Sequence, residues 1–62
     1  MSINDFIFLC CEPGLLEVSI FSLEEGSTIW TGRGNEIPSK FVEAELCSFD
    51  IPAEGSITLN IE

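Results

Sequence analysis

IPSKFVEAELCSF, residues 37–49, reads as a short helix or as a strand, and the choice sets the fold class of the chain. Pro38 suits the first turn of a helix, where its missing N–H costs nothing, and Lys40, Glu43, Ala44, Glu45 and Leu46 are good helix formers. Val42, Leu46 and Phe49 then fall on one face at i, i+4 and i+7. The same stretch also alternates at period two, Val42, Ala44 and Leu46 against Phe41, Glu43 and Glu45, as a strand leading into a turn at Pro52 to Gly55 would. The expectation is a helix over residues 38–48, with the strand as the alternative.

Downstream, SITLNIE (residues 56–62) alternates cleanly, Ile57, Leu59 and Ile61 inward against Ser56, Thr58, Asn60 and Glu62 outward, and predicts a strand. Upstream, LLEVSIFSL (residues 15–23) sets Leu16, Val18 and Ile20 against Glu17, Ser19 and Phe21, a strand with one buried face. Glu24-Glu25-Gly26 turns the chain into STIWT (residues 27–31), a third strand that stops at Gly32-Arg33-Gly34-Asn35. INDFIFLCC (residues 3–11) is apolar on both alternating faces after Asp5 and reads as a central strand ending at the turn Glu12-Pro13-Gly14. The expected fold is a single α+β domain over residues 1–62, a mainly antiparallel four-stranded sheet with one short helix in the order β-β-β-α-β. The alternative is an all-β, five-stranded sheet.

Sixty-two residues make one domain, and a chain of that size buries only about 60% of the surface its unfolded form exposes. A second chain, as in a homodimer, would add core. The hydrophobic content of 45% is too high for a disordered acidic tail, so the chain should fold in spite of a net charge of −9. Eleven carboxylates face only Arg33 and Lys40. Such a surface repels DNA, RNA and anionic membranes and attracts a basic groove of the kind that normally holds nucleic acid. Acidity serving solubility alone is the other reading.

Cys10, Cys11 and Cys47 form no CxxC or Cys/His spacing, which indicates neither a disulfide framework nor a zinc site. Reduced thiols in a cytoplasmic setting fit, with Cys10 and Cys11 as small buried hydrophobes. MSINDFIFLCC has no basic region before its apolar stretch and does not read as a signal peptide, and no apolar run reaches the roughly 18 residues of a membrane span. The expectation from these features is a protein inside the cell, without a membrane partner.

Histidine, the usual acid–base group near neutrality, is absent. The carboxylate pairs Glu24/Glu25 and Glu43/Glu45 read as solvated charge, and the serines have no recognisable base, so no catalytic, metal or cofactor residue is assigned. Gly32-Arg33-Gly34 lacks the GxxxxGK[ST] of a phosphate loop. It reads as a glycine-relieved turn whose arginine meets Glu36 or another carboxylate. Trp30 reads as core, with an exposed anchor at a partner surface as the alternative.

Residues two apart on a strand face the same way at a separation of roughly 6.6 Å, similar to successive phosphates along a nucleic-acid strand. Glu43 and Glu45 would be two such rungs if they lie on a strand. On a helix they diverge by about 200°, and an acidic surface would be assembled from Glu24 and Glu25, Glu36, Glu43 or Glu45, Asp50 and Glu54. In size, acidity, lack of histidine and lack of a catalytic motif, the whole chain resembles the small phage-encoded anti-CRISPR proteins that act as DNA mimics. The resemblance implies a non-enzymatic inhibitor in the host bacterial cytoplasm. Its partner would be a basic nucleic-acid-binding host protein, such as a Cas subunit that recognises the protospacer-adjacent motif or holds target DNA.

Overall fold

In the computed structural model, which describes residues 1–62, the chain begins with a helix, α1 (Ile3–Phe8), where a central strand was expected. The reason is local. The Asp5 N–H donates to Ser2 Oγ at 3.2 Å and the Ser2 N–H donates to Asp5 Oδ2 at 3.0 Å, a reciprocal capping box that satisfies two donors a strand would leave to pairing. Ile3, Phe6, Ile7 and Cys10 also repeat at helical spacing. They are the positions turned inward, while Asn4, Asp5, Phe8 and Leu9 are exposed. A short run apolar at nearly every position satisfies both periods, and the cap decides between them.

A 3-10 turn, Pro13–Leu15, leads into β1 (Glu17–Ser22), which pairs antiparallel with β2 (Ser27–Arg33). Gly26, at φ 68°, supplies the left-handed residue that the connecting turn requires. The expected three-strand meander is therefore a single hairpin. Strand β2 runs two residues further than expected, through Gly32 and Arg33, and the turn falls at Gly34 and Asn35. Neither Gly32 nor Gly34 has a positive φ; both are glycine for space. A Cβ on Gly32 would stand 2.6 Å from the Trp30 ring, and one on Gly34 would stand 2.5 Å from the Pro13 carbonyl oxygen.

Residues 38–48 hold one turn of helix only, α2 (Ser39–Val42). Tertiary pairing claims the backbone beyond it: Ile3 N–H donates to the Ala44 carbonyl at 3.0 Å and Leu46 N–H to the Met1 carbonyl at 2.8 Å. Those bonds hold residues 44–46 extended beside the start of the chain, so the helix cannot continue. Strand β3 (Ser48–Ala53) follows and forms a hairpin with β4 (Ser56–Ile61) through the turn Glu54-Gly55, with Gly55 at φ 80°. The sheet order is β2-β1-β4-β3. Its outer pairs are antiparallel and its central pair, β1 with β4, is parallel, so the sheet is mixed. The α+β class, a sheet of four strands and a short helix are as expected, but the order is α-β-β-α-β-β and not β-β-β-α-β, because the first expected strand is α1 and the fourth strand is β3; the all-β alternative is not the fold.

Register puts Val18 beside Ile57 and Ile20 beside Leu59 on one face. These four, with Ile3 and Ile61, are the buried apolar core, and Phe6, Ile7, Ile37, Phe41, Ala44 and Leu46 pack against it from the helical side. Trp30 is half-buried against this core with its ring over Gly32, as the core reading required. Cys10 is half-buried and its thiol approaches the Phe6 carbonyl at 3.7 Å, but Cys11 is exposed at the end of the helical stretch and is no part of the core. The chain exposes 4004 Å², close to the roughly 3,950 Å² of a compact monomer of its mass. The apolar side chains left outside are thus a property of a closed fold.

Hydrogen bonds from Ser2 hold the Asp5 carboxyl below the usual aspartate range. A depressed folded-state pKa adds stability that is present above the unfolded pKa and lost as pH falls through the folded one. Asp5→Asn keeps an acceptor of the same shape without the charge. The stability gap between wild type and this variant, followed by urea denaturation, should stay constant from neutral pH to the ordinary aspartate range. Below that range it should shrink to nothing.

Candidate functional site

All eleven carboxylate side chains are exposed. The single ion pair joins Glu45 Oε1 to the Met1 amino group at 2.8 Å, and this contact, first through the hydrogen bond and then through the charge, raises the amino group's pKa. Arg33 does not meet Glu36 or any other acid. Although it lies opposite Glu17 across β1 and β2, its guanidinium reaches the Gly14 carbonyl at 3.5 Å. Lys40 is held 5.0 Å from the centre of the Phe41 ring. Neither cation neutralises a carboxylate.

Alternation places Glu17, Ser19, Thr31, Thr58 and Asp50 on the sheet face opposite the core, which no helix covers. Asn60 is buried within it and donates to Ser48 Oγ at 3.0 Å and to Asp50 Oδ2 at 3.1 Å, which fixes the Asp50 carboxylate on the strand. At one end of this face Glu36 and Glu54 meet Glu17 around Arg33, lining an open polar groove of about 460 Å³. At the other end the turn carrying Glu24 and Glu25 lies beside Glu62, because the Leu23 N–H donates to the Ile61 carbonyl at 2.6 Å. Glu45 and Glu62 flank Ile61 in a neighbouring depression. A six-residue strand separates the two ends by about 17–20 Å.

Of the acids singled out from the sequence, Glu36 and Glu54 are thus brought together, Glu24 and Glu25 form the opposite end, and Asp50 lies between them. Glu43 and Glu45 are not rungs of a strand: Glu43 caps the end of α2 and Glu45 makes an isolated bridge to Ser2. Glu17 and Glu62 were missed. Glu17 is the polar member of an alternating strand, and only the parallel pairing of β1 and β4 brings Glu54 and Glu62 to its two ends.

Nine net negative charges over the longest dimension, 29 Å, amount to one per about 3.2 Å averaged over the whole molecule, against about 3.4 Å of helix axis per charge for one strand of a nucleic-acid duplex. No group of three or more His, Cys, Asp or Glu side chains is placed to hold a metal ion, and no helix is long and apolar enough to cross a membrane. Comparison with protein-family models, curated proteins and solved structures gives no match to the chain.

Proposed function

We propose that the protein is a non-enzymatic inhibitor that occupies a basic nucleic-acid-binding site on another protein, in the manner of an anti-CRISPR DNA mimic acting on a Cas effector subunit in the bacterial cytoplasm. The observation that carries this reading is that eleven exposed carboxylates meet one ion pair, and that one to the Met1 amino group. Net charge per length of the molecule is similar to that of a nucleic-acid strand, and the acids at the two ends of the uncovered face, with Asp50 between them, would bridge a groove lined by lysines and arginines. Attraction of this kind acts through occupation and needs no reacting group.

The test is displacement of fluorescent target DNA from purified DNA-recognition subunits of CRISPR effectors. Displacement is expected at low salt and should weaken at least about tenfold between roughly 50 and 200 mM salt. Absence of displacement, or displacement indifferent to salt, rejects the reading. A second reading, a small homo-oligomeric module whose acidity serves solubility, is favoured by the exposure of Phe8, Leu9, Leu15 and Ile51. It requires salt-insensitive self-association in sedimentation experiments.

A further inference from the structure

Apart from the polar groove and the depression beside Ile61, the molecule has a cleft lined mainly by apolar groups and by no charged residue. Ile7, Phe8 and Cys10 of the helical stretch form one wall and Pro13, Ile37 and Val42 the other, with Asn4, Gly34 and Asn35 completing a space of about 330 Å³. That volume suits one or two large side chains. Phe8 stands at its edge with 81% of its surface exposed, although the core beneath is closed. Gly34 belongs to the same lining, and its close approach to Pro13 leaves no room for a Cβ. The cleft is a shaped feature of the fold.

No residue of the lining is acidic or basic, yet four of the segments that build it carry a carboxylate next to a lining residue. Asp5 follows Asn4, Glu12 precedes Pro13, Glu36 lies between Asn35 and Ile37, and Glu43 follows Val42. All four are exposed and none is in an ion pair, although Asp5 accepts from the Ser2 N–H and Glu36 also lines the polar groove beside Arg33. Of the two cations, Arg33 precedes the lining residue Gly34 but donates to the Gly14 carbonyl, and Lys40, on α2, lies over the Phe41 ring; the carboxylates next to the lining outnumber them.

We propose that this cleft is the anchor point for a cationic amphipathic segment of the partner, one bulky apolar side chain seated between α1 and α2 with lysines or arginines beside it facing Asp5, Glu12, Glu36 and Glu43. The proposal rests on the reading of the partner as a basic protein and names where its apolar contact is made. Charge selects the occupant. A second copy of this chain would bring four more carboxylates against the same rim, and phosphate or an anionic lipid surface would be repelled in the same way. The apolar cleft supplies the desolvated contact and the acidic rim orients it, the division of labour found where one anchor residue dominates an interface.

The probe is a synthetic, fluorescein-labelled peptide of roughly nine residues, with a central tryptophan between lysine pairs, titrated with the whole protein in low salt. Replacing the central tryptophan by alanine, and separately Phe8→Ala in the protein, is expected to weaken binding about tenfold each, the loss typical of a dominant anchor. The double variant Glu12→Gln, Glu43→Gln, which spares the groove around Arg33, should weaken it as well and flatten its salt dependence. Backbone amide shifts on binding should centre on Phe8, Cys10 and Val42. Phe8 is exposed, so its variant tests the contact and not the fold, which circular dichroism checks. The proposal is overturned if the alanine peptide binds equally well, or if the shifts centre on Glu24 and Glu25 or on the groove around Arg33. DNA displacement that persists unchanged in Phe8→Ala also overturns it while leaving the inhibitor reading intact; peptide binding at the cleft without any DNA displacement does the reverse.

Discussion

Leu59→Ala is expected to lower the urea midpoint of unfolding sharply or to abolish the cooperative transition at room temperature. Leu59 has no exposed surface and lies on the central strand pair, beside Ile20 and opposite Phe49. Removing a buried leucine side chain to its Cβ costs about 2–5 kcal/mol. A 62-residue chain at the usual 0.05–0.15 kcal/mol per residue has about 3–9 kcal/mol to lose. With six apolar residues buried in all, the neighbours have little freedom to refill the space. Circular dichroism against urea should report a broad, low-midpoint transition or none. Retention of the wild-type midpoint would mean that the core does not carry the stability attributed to it.

The largest functional effect is expected from Glu24→Lys with Glu25→Lys. Both side chains are exposed, and the bonds that shape their turn leave the carboxylates free: Glu25 N–H donates to Ser22 Oγ and Gly26 N–H to the Ser22 carbonyl. Reversal therefore leaves the hairpin intact and relieves some of the self-repulsion of a chain at −9. Against a basic groove the new lysines meet like charge, which costs several kcal/mol, and each 1.4 kcal/mol is a factor of ten. Affinity for the proposed DNA-binding partner should fall at least about 100-fold while Tm is unchanged or higher. A fall in Tm with unchanged affinity would place the contact elsewhere. Glu43 and Glu45 are the poorer pair to reverse, because the Glu45 carboxylate accepts a hydrogen bond from the Met1 amino group.

The α+β class and the last strand were legible because alternation at Ile57, Leu59 and Ile61 has one interpretation, and those three residues are buried as expected. Strand β1 was legible for the same reason. Segment 3–8 was not, because INDFIF is apolar enough to fit either period; the signal that separates them is a polar pair, Ser2 and Asp5, whose bonds only a helix makes. Strand β3 was hidden by its own exposure. Phe49 and Ile51 remain 50% and 65% exposed, Asp50 serves the open face, and Pro52 marks a residue that cannot donate to a ladder. The number of free carboxylates could be read from composition, whereas their grouping could not. Glu17, Glu36 and Glu54 come from segments far apart in sequence, and only strand register makes them neighbours.

The parallel seam at the centre of the sheet also governs how the chain reaches its native state. Each outer hairpin closes over a short turn, an event of about 1–10 μs, but Glu17 pairs with Ser56 across 39 positions of sequence. Neither hairpin has a core of its own, since Val18 and Ile20 belong to one and Ile57, Leu59 and Ile61 to the other. The hairpins are nascent pieces that become stable only on docking, so the closing of that long loop sets the folding rate. Until it happens, the edges of β1 and β4 that will form the seam are open to pair with other chains.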